Sequence, residues 1–323
     1  MKERWKDAVM AVMMGLVLPY ILLNAAGMMH ESPHPGIETA SSEDPYDREV
    51  IWIHVQNGEA IEQMDLESYL VRVVLGEMPA SFELEALKAQ AVVARTYTLR
   101  RLETGTKHRN ADVCTDPGCC QAYCDPAYYQ GSVESLGKVR DAVEQTRGLV
   151  LTYSGALIEA TYFSSSGGRT EDAVAVWGND LPYLQATDSP ENGYEDQYLR
   201  SVTFSAADFR VALDRELPGG CHSWFGPVTY TNGGGVATMT IGGEEYSGTE
   251  LRQLLGLRST AFTVSATSNT VTITTRGYGH RVGMSQYGAE AMAVEGAAFD
   301  AILAHYYQGT ALEEYIDNPG DIS

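Results

Sequence analysis

"DLESYLVRVVLGEMPASFELEALKAQAVVARTYTLRRLE", Asp65 to Glu103, decides how this chain is read. Leu66, Tyr69, Leu70, Val73 and Val74 recur at helical spacing behind Asp65, a residue type that caps helix N-termini. The helix must stop near Gly76–Met78, because Met78 precedes Pro79 and a pre-proline residue is pushed out of helical dihedrals. Ser81 stands where it can cap a second helix. That helix carries a stripe of Leu84, Leu87, Ala91, Ala94 and Thr98, rich in small residues that suit close packing.

Working outward, "IWIHV" alternates as a strand and "QNGE" carries an Asn-Gly turn signal. Downstream, "SVESLGKVRDAVEQTRG" predicts a helix ending at Gly148, and "LVLTYSGALIEATYFSSSGG" a hairpin turning at Ser154–Gly155. Residues 198–275 alternate strands with short helices. "TVTITTRGYGH" reads as a strand entering a glycine-rich turn, and "SQYGAEAMAVEGAAFDAILAHYY" as helical. Without a regular βα alternation the fold class is α+β, mixed helices and strands around a cleft.

The N-terminus adds a further element. Residues 8–29 contain no charge and are long enough to cross a hydrocarbon core of about 30 Å. The flank "MKERWK" is net basic and predicts a cytoplasmic tail over residues 1–7, with a cleaved signal peptide as the alternative. Residues 30–48, polar and proline-bearing, read as a flexible linker, residues 49–315 as one extracytoplasmic catalytic domain and residues 316–323 as a tail. With 43 acidic against 22 basic residues the chain carries a net charge of −21, which repels nucleic acid and anionic lipid.

Glu77 is the first candidate for chemistry. The negative end of a helix dipole disfavours an ionised carboxylate, and a general acid must hold its proton near neutral pH. Raising a glutamate from about 4.3 to about 6.5 takes roughly 3 kcal/mol, of which the dipole supplies only about 0.3–1. Burial would have to supply the rest, and "VVLGEMP" is apolar enough for that. The alternative is a solvated helix-end glutamate. Lys88 and Arg95, seven residues apart, share a helix face that suits an anionic or hydroxyl-rich ligand, or simply solvent.

"YFSSSGGRT" (Tyr162, Ser165, Ser166, Gly167, Gly168 and Arg169 within it) offers backbone N–H groups on a glycine turn. "GYGHRVGMSQYGA" sets Tyr278, His280, Gln286 and Tyr287 on a glycine scaffold, a pattern that suits stacking on sugar rings and binding their hydroxyls. His108, Cys114, Cys119, Cys120 and Cys124 share one short loop, with Cys221 apart. Disulfides and a tetrahedral zinc site are both open to these residue types, and four protein ligands would make a zinc structural.

"GEMP", "EALKAQAVVARTYTLRR", "ADVCTDP", "CQAY", "SSSGGRTED", "LPYLQATDS" and "GHRVGMSQYGA" follow one another in order. Together they resemble the family of stage II sporulation protein D and the amidase enhancer, over residues 50–310. The resemblance implies a lytic transglycosylase that cleaves peptidoglycan glycan strands, stripped of stem peptides, at the septal membrane during forespore engulfment. Glu77 matches the family's catalytic acid, and the Ser-Gly-Gly and GHRVGMSQYGA segments match its substrate groove. The implied partners are stage II sporulation protein P, an amidase, and stage II sporulation protein M, a membrane scaffold. His108, Cys114 and Cys120 match the zinc ligands of the family, but Cys119 stands where a histidine is expected. The Zn2+ site would become Cys₃His, with Cys124 as a competing fourth ligand. Arg281 stands where a glycine is expected.

A lytic transglycosylase needs one carboxyl group, because the sugar's own 6-hydroxyl attacks. Asp112, Asp116, Glu171 and Asp172 lie in the motif segments and could supply a base if the fold set one opposite Glu77. Muramic acid is anionic, so Lys88, Arg95, Arg169 and Arg281 would have to make the cleft locally positive. The rival classes are a non-catalytic wall-binding enhancer of an amidase and a zinc peptidase or amidase using the His/Cys loop, the latter without any HExxH.

Overall fold

The computed structural model describes residues 50–316. The expected cytoplasmic tail, membrane helix and linker, and the tail beyond residue 316, lie outside the described residues. Among the described residues no helix is long and apolar enough to cross a membrane.

Asp65 starts helix α1 (Leu66–Glu77), accepting the Ser68 N–H at 2.9 Å. The helix ends as the proline rule requires, with Met78 extended at φ −122°, ψ 146°. Helix α2 (Leu84–Thr104) begins later than Ser81 would set it, and Glu83 at its cap position makes no side-chain cap bond. A tight turn puts the Phe82 N–H on the Pro79 carbonyl at 2.9 Å, which moves Ser81 off the helix axis. The Glu290 carboxylate, from far downstream, takes the Glu83 N–H at 2.7 Å instead.

The stripe read in α2 understates its burial. Ala86, Leu87, Ala89, Ala91, Val92, Val93 and Ala94 are all inaccessible, so the helix is covered on nearly every side. It packs against α1, against α3 (Val133–Gln145) and against β4 (Leu149–Tyr153), and its alanines allow that approach. The polar groups drawn into this core are satisfied. The Thr96 and Thr98 hydroxyls donate to carbonyls one turn back, each at 2.8 Å. Arg95, fully buried, binds the Glu67 carboxylate with two nitrogens at 2.9 and 2.7 Å and also reaches the Val143 and Leu149 carbonyls.

Around this centre lie short strands. β1 (Trp52–Asn57) and β2 (Ala60–Asp65) form the expected hairpin, and β3 (Val113–Cys114) joins β1 in parallel. β4 pairs with β5 (Ala156–Leu157) across the turn at Ser154–Gly155. β6 (Tyr162–Phe163) and α4 (Ala173–Trp177) follow, and α5 (Glu195–Tyr198) leads the chain away.

Residues 199–276 build a second hydrophobic core within the span read as one catalytic domain. It contains Phe209, Trp224, Ile241, Leu251 and Ile273. Its frame is two three-stranded sheets. The first orders β11 (Phe262–Ala266), β12 (Thr270–Arg276) and β7 (Leu199–Ser205), flanked by α6 (Ala206–Leu213). The second orders β10 (Glu244–Ser247), β9 (Val236–Ile241) and β8 (Phe225–Tyr230), with α7 (Gly248–Leu254) against it.

The chain then returns to the first core through β13 (Met284–Ser285), which pairs in parallel with β6, Met284 opposite Tyr162. Gly283 makes that pairing possible, since a Cβ there would stand 2.1 Å from the Thr161 carbonyl oxygen. The segment read as one helix near the C-terminus is two, α8 (Gln286–Val294) and α9 (Phe299–Tyr306), broken at Gly296 with φ 94°. β14 (Ala311–Glu314) closes the fold on β4.

Arg95→Met should destabilise the protein by about 3 kcal/mol in urea unfolding, the lower end for breaking a buried ion pair because Glu67 keeps some solvent contact. Combining it with Glu67→Leu should restore a large part of that loss.

Candidate active site and metal centre

Glu77 is the last residue of α1, and three separate segments converge on its carboxylate. Oε1 accepts the Ala122 N–H at 2.6 Å and the Tyr162 hydroxyl at 3.1 Å, and Oε2 accepts the Gln286 amide at 3.3 Å. Burial pushes the Glu77 pKa above the ordinary carboxylate range, and the three hydrogen bonds offset only part of that rise. Tyr162 reaches the site from β6 and Gln286 from the first position of α8, so the β6–β13 pairing sets them side by side.

The Tyr162 oxygen also lies 3.1 Å from Gln121 Oε1. One hydroxyl proton serves two acceptors. When Glu77 is ionised Tyr162 donates to it, and when Glu77 is protonated its O–H can donate to Tyr162, which turns to Gln121. Gln121 is fixed by donating to the Tyr69 hydroxyl at 3.2 Å and to Thr98 at 3.0 Å. Burial holds Tyr162 and Tyr69 far above the usual phenol range, so both stay neutral.

Gln121 and Ala122 directly follow the cysteine pair. The ligand atoms of His108, Cys114, Cys119 and Cys120 all lie within 4.8 Å of one another. His108 Nε2 stands 3.3 Å from Cys120 Sγ and 3.6 Å from Cys119 Sγ, and the two sulfurs are 4.0 Å apart. A tetrahedron with Zn–S bonds of about 2.3 Å has edges of about 3.8 Å, so the donor set fits a zinc ion. All five cysteines are free thiols, and 4.0 Å is about twice a disulfide bond length. Cys124 lies outside the cluster, its sulfur turned to the Asp125 carbonyl at 3.8 Å, and Cys221 is buried in the second core. Cys119 is therefore the fourth member. Burial works against its ionisation, yet hydrogen bonds with Cys114 and Lys107 hold its thiol below the ordinary range.

The loop that bears these ligands presses against the end of α1. A Cβ on Gly76 would stand 2.5 Å from Tyr123 N and 2.8 Å from the Ala122 carbonyl carbon. Only glycine admits the loop backbone close enough for the Ala122 N–H to reach the next residue, Glu77.

Several expected site residues have other work. Arg95 is enclosed by Glu67 and two carbonyls and faces no ligand. Ser165, Ser166 and Gly167 turn their hydrogen-bonding groups inward and wrap the buried Glu191 carboxylate. That carboxylate accepts the Ser166 and Gly167 N–H groups at 2.7 and 3.0 Å and the hydroxyls of Ser165, Ser166 and Ser285 at 3.0, 2.7 and 2.5 Å. Gly168 is exposed, its N–H bound to the Ser166 hydroxyl at 3.0 Å. Arg169 pairs with Asp188, Lys88 with Glu85 at 2.6 Å, and the buried Arg281 with Glu171 at 3.0 Å.

His280 lies between Phe163, which it meets edge-on, and Trp177, to which it is tilted, and burial, then the charge of Arg252, pushes its pKa down to about 4. Tyr287 belongs to an aromatic wall with Phe82 and Tyr194 beside Gln286. None of the four possible bases is hydrogen-bonded to Glu77. Asp112 holds the His54 N–H, Asp116 the Gly118 N–H, Glu171 the Gly235 N–H and Arg281, and Asp172 the Ala186 N–H. Gln121, Ala122 and Glu191 were missed in the sequence. "CCQAY" directly follows the metal ligands and could have drawn attention to the first two, whereas "SPENGY" holds no signal for Glu191.

A family model described as stage II sporulation protein matches residues 55–153. Stage II sporulation protein D of Bacillus subtilis (strain 168) is 41% identical over 264 residues, 79% of this chain and 76% of that protein. The protein of the same name from Bacillus amyloliquefaciens is 37% identical over 313 residues, 93% of this chain and 90% of its own. The amidase enhancer of Bacillus subtilis (strain 168) is 33% identical over 296 residues, which cover 75% of this chain and 40% of that longer protein.

Glu77 binds its proton more tightly in the folded than in the unfolded chain. Stability must fall as pH rises from the ordinary glutamate value, about 4.3, through the raised one. Glu77→Gln should therefore unfold at a higher temperature than wild type at pH 8, with the gain vanishing at pH 4. Gly76→Ala should cost about 1–3 kcal/mol in denaturant unfolding, the range for overpacking, and should speed hydrogen exchange at the Ala122 amide.

Proposed function

The chain belongs to the stage II sporulation protein D family, and on that premise we propose that it is a lytic transglycosylase. Its substrate is the glycan strand of peptidoglycan, stripped of stem peptides. One observation carries this reading: the Glu77 carboxyl, buried, of raised pKa and held by three donors, has none of Asp112, Asp116, Glu171 and Asp172 bonded to it.

Glu77 in its acid form gives its proton to the glycosidic oxygen, and the bond from that oxygen to the muramic C1 breaks. The resulting carboxylate is stabilised by Ala122, Tyr162 and Gln286, and Tyr162 swings its proton from Gln121 to Glu77 as the charge appears. Glu77 then takes the proton of the muramic 6-hydroxyl as that oxygen closes on C1, which returns the acid to its starting form. The attack is intramolecular, with an effective concentration of order 10⁵ M or more in well-oriented cases, against roughly 55 M for water. A hydrolase of the usual type would need a second carboxylate.

The fitting metal is a structural zinc on His108, Cys114, Cys119 and Cys120, which would cross-link the loop without taking part in the reaction. His108 and the three cysteines hold the Cys119–Tyr123 backbone, and that backbone supplies Gln121 and the Ala122 N–H. Residues 8–29 would anchor the protein in a membrane with residues 1–7 cytoplasmic, at the sporulation septum and engulfing membrane. Stage II sporulation proteins P and M are the partners that fit this setting. The enhancer reading, named for the relative at 33% identity, leaves the proton-holding environment of Glu77 without a use.

Digestion of peptide-free glycan by the purified protein should yield fragments ending in 1,6-anhydro-muramic acid, seen by mass as one water lighter than hydrolysis products and resistant to borohydride. Glu77→Gln should slow this by about 10²–10⁴-fold with its fold intact. Reducible muramic ends as the main product would point to a hydrolase, and wild-type protein releasing no fragments would point to the enhancer. Elemental analysis should find about one zinc per chain. Cys119→His should retain it, Cys119→Ser should lose it and melt at a lower temperature, and Cys124→Ser should change neither.

A further inference from the structure

A shallow depression of about 570 Å³ opens where the second core meets the glycine-rich turn. Thr249, Arg252 and Gln253 face it from α7, and Arg258 and Tyr278 complete it. The Tyr278 ring is half exposed, and the Arg258 guanidinium lies over it at 5.0 Å. Arg258 also touches the Gln197 carbonyl at 3.4 Å. Among the described residues neither Arg252 nor Arg258 has a carboxylate partner, although Glu195, Asp196 and Glu250 are near in sequence to the residues around them. Arg95, Arg100, Arg169, Arg215 and Arg281 each pair with an acid. In a chain with a net charge of −21, two guanidinium groups that line one depression without such a partner make it locally positive.

The depression is tied to the catalytic acid by rigid backbone. The Tyr278 and Ser165 peptide groups exchange two hydrogen bonds, at 2.7 and 3.2 Å. Ser165 lies three residues beyond Tyr162, whose hydroxyl touches Glu77. Three extended residues span at most about 11 Å. On the glycan-cleaving reading, a strand held at Glu77 would reach this surface by running along the segment that joins Tyr162 to Ser165.

We propose that the depression is a subsite for a carboxylate-bearing sugar, a muramoyl residue whose lactyl carboxylate has been freed of its peptide. The proposal rests on the glycan-cleaving reading above and adds how the strand is selected. A guanidinium group suits a carboxylate, the exposed part of the Tyr278 ring not covered by Arg258 suits an apolar sugar face, and Gln253 and Thr249 offer partners for hydroxyls. While a stem peptide is attached, the lactyl group is a neutral amide and the pair has no charge to bind. Freeing it creates the recognised group.

The test is binding to the full-length Glu77→Gln chain, which needs no turnover. Three ligands are titrated calorimetrically: peptide-free glycan fragments, the same fragments with lactyl carboxylates converted to methylamides, and peptide-bearing fragments. Adding Arg252→Gln and Arg258→Gln should weaken binding of the peptide-free fragments by about ten-fold or more, the scale of a lost charged hydrogen bond. The methylamide fragments should bind weakly, and equally, with and without those changes. Arg258→Gln and Tyr278→Ala, both outside the two cores, provide the same readout if the double variant is unstable, and each should weaken binding alone. Unchanged affinity for peptide-free glycan in these variants overturns the subsite, whether or not the wild-type protein cleaves. Peptide-bearing fragments that bind as tightly as peptide-free ones, and weaken in the same variants, assign the carboxylate to the stem and overturn the lactyl assignment. If the variants lose binding but the wild-type protein cleaves nothing, the subsite stands and the transglycosylase reading fails.

Discussion

At Gly76 there is no room for a side chain, and that lack of room is what brings a backbone N–H to Glu77. Two opposing effects then meet on one carboxylate. Taking it out of water favours the neutral acid, and giving it three donors favours the anion. Burial prevails, but the donors remain to receive the charge when the proton leaves. An acid that was merely buried would hold its proton too firmly, and one that was merely hydrogen-bonded would have lost it already. The cysteine-rich loop bears on this balance through its backbone, because the Cys119–Cys120 pair stands directly before Gln121 and the Ala122 amide.

The basic residues divide by burial. Arg95 and Arg281 are internal ties, each drawn into the fold with a carboxylate and several carbonyls. Arg281 takes φ 65°, a left-handed conformation uncommon for a residue with a side chain, and the bonds of its guanidinium hold it there. The Arg281 side chain, where the resemblance leads one to expect a glycine, braces Glu171 to the Gly233 carbonyl. Among the described residues Arg252 and Arg258, at the edge of the second core, are cations without a carboxylate partner, whereas Arg215 in the same region pairs with Glu244.

Much of this was legible in the sequence. Asp65, Pro79 and the 3.6-residue spacing of Leu66 to Val74 fixed α1 and the position of Glu77 at its end. The loop spacing placed four metal-ligand types together, and the turn at Ser154–Gly155 followed from local chemistry. What was illegible depended on partners distant in sequence. A serine–glycine run looks the same whether it cradles a substrate or the carboxylate of Glu191, and an arginine on a helix looks the same whether it faces a ligand or Glu67. The second core went unrecognised because its short alternating strands resemble any peripheral sheet. Burial on all sides of α2 was hidden because alanine suits both a packed and an exposed helix.

The donors that surround Glu77 come from 45, 85 and 209 residues away along the chain. Contacts of such separation form late, since each must close a long loop before it gains anything. A chain that has made α1 and α2 but not yet received residue 286 carries an ordinary, solvated glutamate at the end of a helix. The proton-holding environment of Glu77 is thus a property of the completed fold, complete only when the helix that begins at Gln286 has docked.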